Sequence, residues 1–145
     1  MNWLPCLAIV LSLFGCGKAG QAPPQKSTAD EIHSVIQAQP VSVTPEQAAE
    51  VFALGSEATD LQRDLLKKEL IGNVIVWNIQ VYEIELKGES YKVTSQPIPI
   101  QPAQAVGVLR VVAFVYPRNG ADLNALRQAK TNDIFKLRGK VQDIE

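Results

Sequence analysis

A chain of 145 residues, 46% hydrophobic and 20% charged with a formal charge of −1, has the size of one compact domain plus a tail and lacks the dense cationic footprint of a phosphate-backbone binder. Its balance is uneven: residues 16–85 carry five basic and ten acidic side chains and residues 86–145 nine basic and five acidic, which reads as an acidic helical segment docked on a basic sheet or as an anion-facing surface on the C-terminal half. Both cysteines, Cys6 and Cys16, lie in the first sixteen residues and His33 is the single histidine, so the folded part has no disulfide framework, no cysteine-based zinc site, no multi-histidine metal site and no Ser-His-Asp triad.

Residues 3–14 are an apolar run of signal-peptide length, too short to span a bilayer as a mature helix. The run ends in Leu13-Phe14-Gly15-Cys16, which resembles the lipobox of bacterial lipoproteins. That resemblance implies a signal peptide over residues 1–15, removed at Cys16, whose thiol is diacylglycerylated and whose new amino group takes a further acyl chain of the palmitate class. Several acyl chains anchor stably where one is marginal. Met1-Asn2-Trp3 has no Lys or Arg, and Phe14 is bulkier than the residue usual there; the alternative is an ordinary cleaved signal peptide with Cys16 as a spare thiol. Gly17, where Asp would mark inner-membrane retention, resembles the sorting pattern of outer-membrane lipoproteins, so the expected place is the outer membrane facing the periplasm.

Residues 16–27 have no apolar periodicity and are rich in Gly, Pro, Gln and Lys, the composition of a flexible tether. A helical segment is expected over residues 28–71. Thr28-Ala29-Asp30-Glu31 reads as a capping box ahead of Ile32, Val35 and Ile36, ended by Pro40. Thr44-Pro45-Glu46-Gln47 repeats the device ahead of Ala48, Val51 and Phe52, and Gly55 offers the exit. A third helix is predicted from about Thr59 to Leu70, with Leu61/Leu65 and Leu66/Leu70 as i,i+4 pairs in the core and Asp64 one turn before Lys68.

Residues 70–84 are too rich in β-branched and aromatic side chains for a helix and read as one long bent strand entered at Gly72. Ile75, Trp77, Ile79 and Val81 alternate onto one face, while Val74 and Val76 make the opposite face apolar near the start. Residues 85–89 read as a turn using Gly88, and residues 90–95 as the second strand, with Tyr91 and Val93 opposite Lys92 and Thr94. Pro97, Pro99 and Pro102 mark a loop or an edge. The third strand is expected over residues 106–116, a short helix anchored by Leu123 and Leu126 follows, Asn132 is suited to a left-handed cap, and residues 134–141 form the last strand.

Strand, strand, strand, helix, strand is the order of an OB-fold up to its fourth strand, so the expected class is α+β: an N-terminal helical segment, then a small OB-fold barrel over residues 72–145 with one helix between strands three and four. Leu70-Ile71-Gly72-Asn73-Val74, Leu126 to Lys130, Asn132-Asp133 and Leu137-Arg138-Gly139-Lys140-Val141 resemble the corresponding pieces of bacterial OB domains grouped as tRNA-anti-like. That pattern continues into a fifth strand; here the barrel is expected to stay open, to be completed by residues 95–100, or to be completed by another chain.

By analogy with the OB-fold ligand face, the candidate binding residues are Lys92, Arg110, Tyr116, Arg118 and Lys136, with Tyr91 and Phe114 as stacking groups; the alternative is that the aromatics are core and the cations solubilise the surface. Glu83 and Glu85 share a strand face with no histidine or third carboxylate beside them, and there is no phosphate-binding Gly-rich loop, so no catalysis, cofactor or metal is expected. The expected partners are the membrane, through lipid on Cys16, and an envelope protein. Export argues against nucleic acid. The alternative function is capture of a small anion, peptide or glycan.

Overall fold

The structure, a computed structural model, describes residues 7–10, 28–99 and 109–144. Cys16, the tether over residues 16–27 and the start of the predicted third strand lie outside those residues. The order is β1 (Leu7–Val10), α1 (Thr28–Gln37), α2 (Pro45–Phe52), α3 (Asp60–Leu70), β2 (Val74–Lys87), β3 (Ser90–Ser95), β4 (Val112–Tyr116), α4 (Gly120–Gln128) and β5 (Ile134–Lys140). The class is mixed α+β: four helices and a four-stranded antiparallel sheet in the order β4-β3-β2-β5. No helix among the described residues is long and apolar enough to cross a membrane.

The helix starts are chemically specified. Thr44 and Thr59 each accept a hydrogen bond from the backbone N–H three residues on, at 3.2 and 3.3 Å, while Gln47 and Gln62 take the threonine N–H in return, at 2.9 and 2.8 Å. Each reciprocal pair satisfies two otherwise orphaned donors. Pro45 at the first helical position of α2 has no N–H to leave orphaned, and the Asn119 side chain caps α4 by accepting from the Asp122 N–H at 2.8 Å. Thr28, read as a cap, is the first residue of α1. The chain leaves α3 through Gly72 at φ +83°, where an added Cβ would meet no atom, so glycine is required there by backbone conformation alone.

β2 organises the sheet. At 14 residues it is long enough to pair with β5 through its first half, Val74↔Lys140 to Gln80↔Ile134, and with β3 through its second, Glu83↔Thr94 to Lys87↔Ser90. The strand therefore runs past residue 84, through the stretch expected to be a turn, and the reversal is confined to Gly88-Glu89. Gly88 sits there at φ +62°, the first position of a two-residue hairpin loop that favours Gly. Ile75, Trp77, Ile79 and Val81 all face inward, joining Val93, Ala113, Val115, Phe135 and Leu137 in the main core. Val41, Val43, Ala48, Phe52, Leu66 and Leu70 close one end of that core, so the helical segment stoppers the sheet.

Two expectations fail here. Leu61 and Leu65 are 68% and 55% exposed, whereas Leu70 is fully buried, because α3 lays only its Leu66/Leu70 edge on the core and turns the other leucine pair to solvent. Residues 95–99 do not complete the sheet: Ile98 bridges Leu109, extending the β3–β4 edge, and Pro97 and Pro99 have no N–H to donate to a further strand. What lies between the two sheet edges is β1, antiparallel to β4 (Ala8↔Tyr116, Ile9↔Val115) and parallel to β5 (Leu7↔Leu137 to Val10↔Lys140), so that the strands form a ring.

Candidate functional site

The sheet changes partner at one point, and a concave surface is built there. The core-facing residues of β2 run 75, 77, 79, 81 and then 84. This slip of one residue is a bulge at Tyr82 between the two pairing registers. Backbone groups around the bulge are taken up from outside the ladder: Val81 N–H donates to the Asp133 carbonyl at 2.8 Å, Asn132 N–H donates to the Val81 carbonyl at 2.7 Å, and Gln96 N–H donates to the Gln80 carbonyl at 2.6 Å. Thr131 Oγ1 donates to the Tyr82 carbonyl at 3.2 Å, and Gln96 Nε2 donates to Asn132 Oδ1 at 2.9 Å. Asn132 takes the left-handed conformation expected of it, φ +76°, which turns the chain from α4 back against the bulge.

Between the bulge and the end of α4 lies an open cleft of about 560 Å³, lined on the strand side by Tyr82, Glu83, Leu86 and Tyr91 and on the helix side by Arg127 and Lys130. Its size is that of a small-molecule site. Two cations, two phenols and one carboxylate offer hydrogen bonds and a net positive charge to a polar ligand. Among the described residues no group of three His, Cys, Asp or Glu is placed to hold a metal ion.

The residues singled out for ligand binding are not brought together. Lys92 lies on the outer face of β3 opposite Phe114 and Glu85. Lys136 is exposed on β5, across β2 from it. Tyr116 ends β4, half-buried, in register with Ala8. Arg110 stacks its guanidinium over the Tyr82 ring, 5.5 Å from the centroid, and so reaches the rim of the cleft. Of the proposed stacking groups, Tyr91 is half-buried and packs against the core, and Phe114 is half-buried on the outer face. The cleft residues Tyr82, Arg127 and Lys130 stand outside the predicted set.

Arg118 has a structural task. Its Nε and its own backbone N–H both donate to Asp122 Oδ2, at 3.1 and 3.2 Å, and Asp122 is only 2% exposed. The pair fixes the turn from β4 into α4. Asp122→Ala is expected to lower the unfolding free energy by roughly 1.5–3 kcal/mol, the range for hydrogen bonds to a charged group, and urea denaturation measures it; a loss under half that size would mean that Arg118 does not hold this turn.

Glu83 and Glu85 do share an outer face. Lys87 donates to Glu85 at 2.7 Å; this hydrogen bond first, then the charges of Lys87 and Lys92, hold the Glu85 carboxyl below its ordinary range, and the same hydrogen bond, then the Glu85 charge, raises Lys87. The pair is solvent-facing and contributes little to the fold.

No family model, curated protein or solved structure matches this chain. The class it defines is therefore read from its own geometry: a mixed α+β protein with a small barrel-like sheet stoppered by helices, and a polar cleft at the sheet's partner change.

Proposed function

We propose that the chain is a lipoprotein anchored through Cys16 to the outer membrane, facing the periplasm, whose OB-fold-like domain serves as a non-catalytic binding or assembly module of the cell envelope. The observation that carries this reading is Leu13-Phe14-Gly15-Cys16 at the end of a signal-length apolar run, followed by eleven residues of tether composition. The OB-like part is supported by the pairing order: a long first strand shared between the second and the last, with a helix leading into the last. The non-catalytic part of the reading rests on the sequence, in which Glu83 and Glu85 have no histidine, cysteine or third carboxylate nearby.

A second reading, capture of a small anion, peptide or glycan, is favoured by the cleft itself, where Arg127 and Lys130 face Tyr82 and Tyr91. The test of the first is metabolic labelling with palmitate followed by intact-mass measurement of the membrane-bound chain. The expected product begins at Cys16, carries covalent lipid, and is lost with Cys16→Ser, which strands the chain as an unlipidated precursor. A chain recovered soluble from the cytoplasm with Met1 attached overturns the reading and restores nucleic acid as a ligand for the OB-like surface.

A further inference from the structure

We propose that the slot between β4 and β5 is a strand-binding site, which in the processed protein takes an extended segment of a protein partner with branched aliphatic side chains at alternating positions. This deepens the assembly reading above and rests on it. The four-stranded sheet curls until its two edges face each other, and each edge of a sheet presents a row of backbone N–H and C=O groups that require a partner. In the full chain that partner is Leu7–Val10, whose Ala8 and Ile9 register with Tyr116 and Val115 on one side and with Arg138 and Gly139 on the other. These four residues belong to the segment that processing at Cys16 removes, so the lipoprotein is left with both edges vacated.

The walls of the slot define what refills it. Ile9 registers with Val115, fully buried, and with Gly139, which is buried and has no side chain, so this position has room for a branched residue. Leu7 registers with Leu137, 3% exposed, which makes the position two residues back apolar as well. Spacing of two is the strand period. The occupant runs antiparallel to β4 and parallel to β5 and contains no proline, since it must donate to both edges. Backbone pairing supplies affinity and the two apolar positions supply selection, as in other strand-addition complexes.

The experiment uses the full chain with Ala8→Pro and Ile9→Pro, which prevents its own segment from pairing, and as probe a synthetic peptide copying residues 7–13. Amide hydrogen exchange is followed at those N–H groups of Val115, Tyr116 and residues 137–140 that point into the slot, with the alternate ones, bonded to β3 or β2, as internal reference. The expected result is rapid exchange in the variant alone and, at a peptide concentration about 100 times Kd, slowing of roughly a hundredfold. The same peptide with prolines at the positions of Ala8 and Ile9 gives none. Protection of those amides without peptide, whether in a monomer or in a dimer seen by sedimentation, overturns the proposal, the dimer by assigning the slot to a second copy. If the double-proline chain does not fold alone, peptide present during refolding must rescue it, and failure to rescue overturns the site equally. Because this test involves no lipid, its failure is distinct from that of the palmitate experiment.

Discussion

Trp77→Ala is expected to come close to unfolding the protein. Removing a buried Trp or Phe costs about 3–5 kcal/mol in transfer and cavity energy, against a total stability on the order of 5–15 kcal/mol for a domain. Trp77 also does something that an aliphatic residue could not. It is 8% exposed on the inner face of β2, and its indole N–H donates to the Val43 carbonyl at 2.7 Å, which fastens the α1–α2 connection over the open end of the sheet. Val41 N–H donates to the Val74 carbonyl one turn of chain earlier, at 2.8 Å, so the stopper is held at two points and Trp77 is the deeper. Trp77→Phe separates the two contributions: it keeps most of the apolar volume and loses the donor, for a cost near the lower end of about 1–3 kcal/mol because Val43 is half-buried. Denaturant midpoints followed by circular dichroism measure both. A Trp77→Ala chain within about 1 kcal/mol of the parent would mean that the helical segment does not stopper the core.

Trp77 also shows how much the sequence disclosed. Alternation of Ile75, Trp77, Ile79 and Val81 specified the buried face of β2, and the threonine caps, Gly72, Gly88 and Asn132 specified the ends of elements, because each of those is a local matter of period or backbone conformation. The cleft was written in the same strand. Val81 and Ile84 are three apart where an unbroken strand puts its inward residues two apart, and that phase slip is the bulge at Tyr82. Which side chains then gather round the bulge was not legible, since Arg127 and Lys130 arrive there through the docking of α4, a long-range event. For the same reason Lys92 and Lys136, both correctly placed on strands, end on opposite sides of β2. Leu61 and Leu65 show the limit of periodicity: an i,i+4 apolar pair names a helix face, and only tertiary packing decides which face is covered.

Arg138→Ala is expected to detach α1 and leave the sheet folded. α1 has ten residues and no basic side chain in its last turn, and an isolated helix shorter than about 12–15 residues is marginal in water. Its C-terminal carbonyls are satisfied from a strand a hundred residues away: Arg138 Nε donates to the Val35 carbonyl at 2.9 Å, and a terminal guanidinium nitrogen donates to the Ala38 carbonyl. A cation at the negative end of a helix is favourable in its own right, by up to about 2 kcal/mol when partly buried, and hydrogen bonds to a charged group add about 1.5–3 kcal/mol. The apolar part of the docking is no larger. Val35 and Val74 form a small cluster of their own, with Ile32 and Ala38 packed against it, and one buried valine contributes about 1.5–3 kcal/mol. Removing the guanidinium therefore removes the polar anchor of α1 on β5 and leaves it the valine cluster and its contact with β1, while the main core, which shares no residue with that cluster, keeps its contacts. Hydrogen exchange should report α1 amides approaching free-peptide rates with β2 and β5 still protected. Arg138→Lys, which keeps the charge but not the planar fork that reaches two carbonyls, should fall between. Unchanged protection of α1 in Arg138→Ala would show that the valine cluster alone suffices; collapse of the whole sheet would show that the two clusters unfold as one.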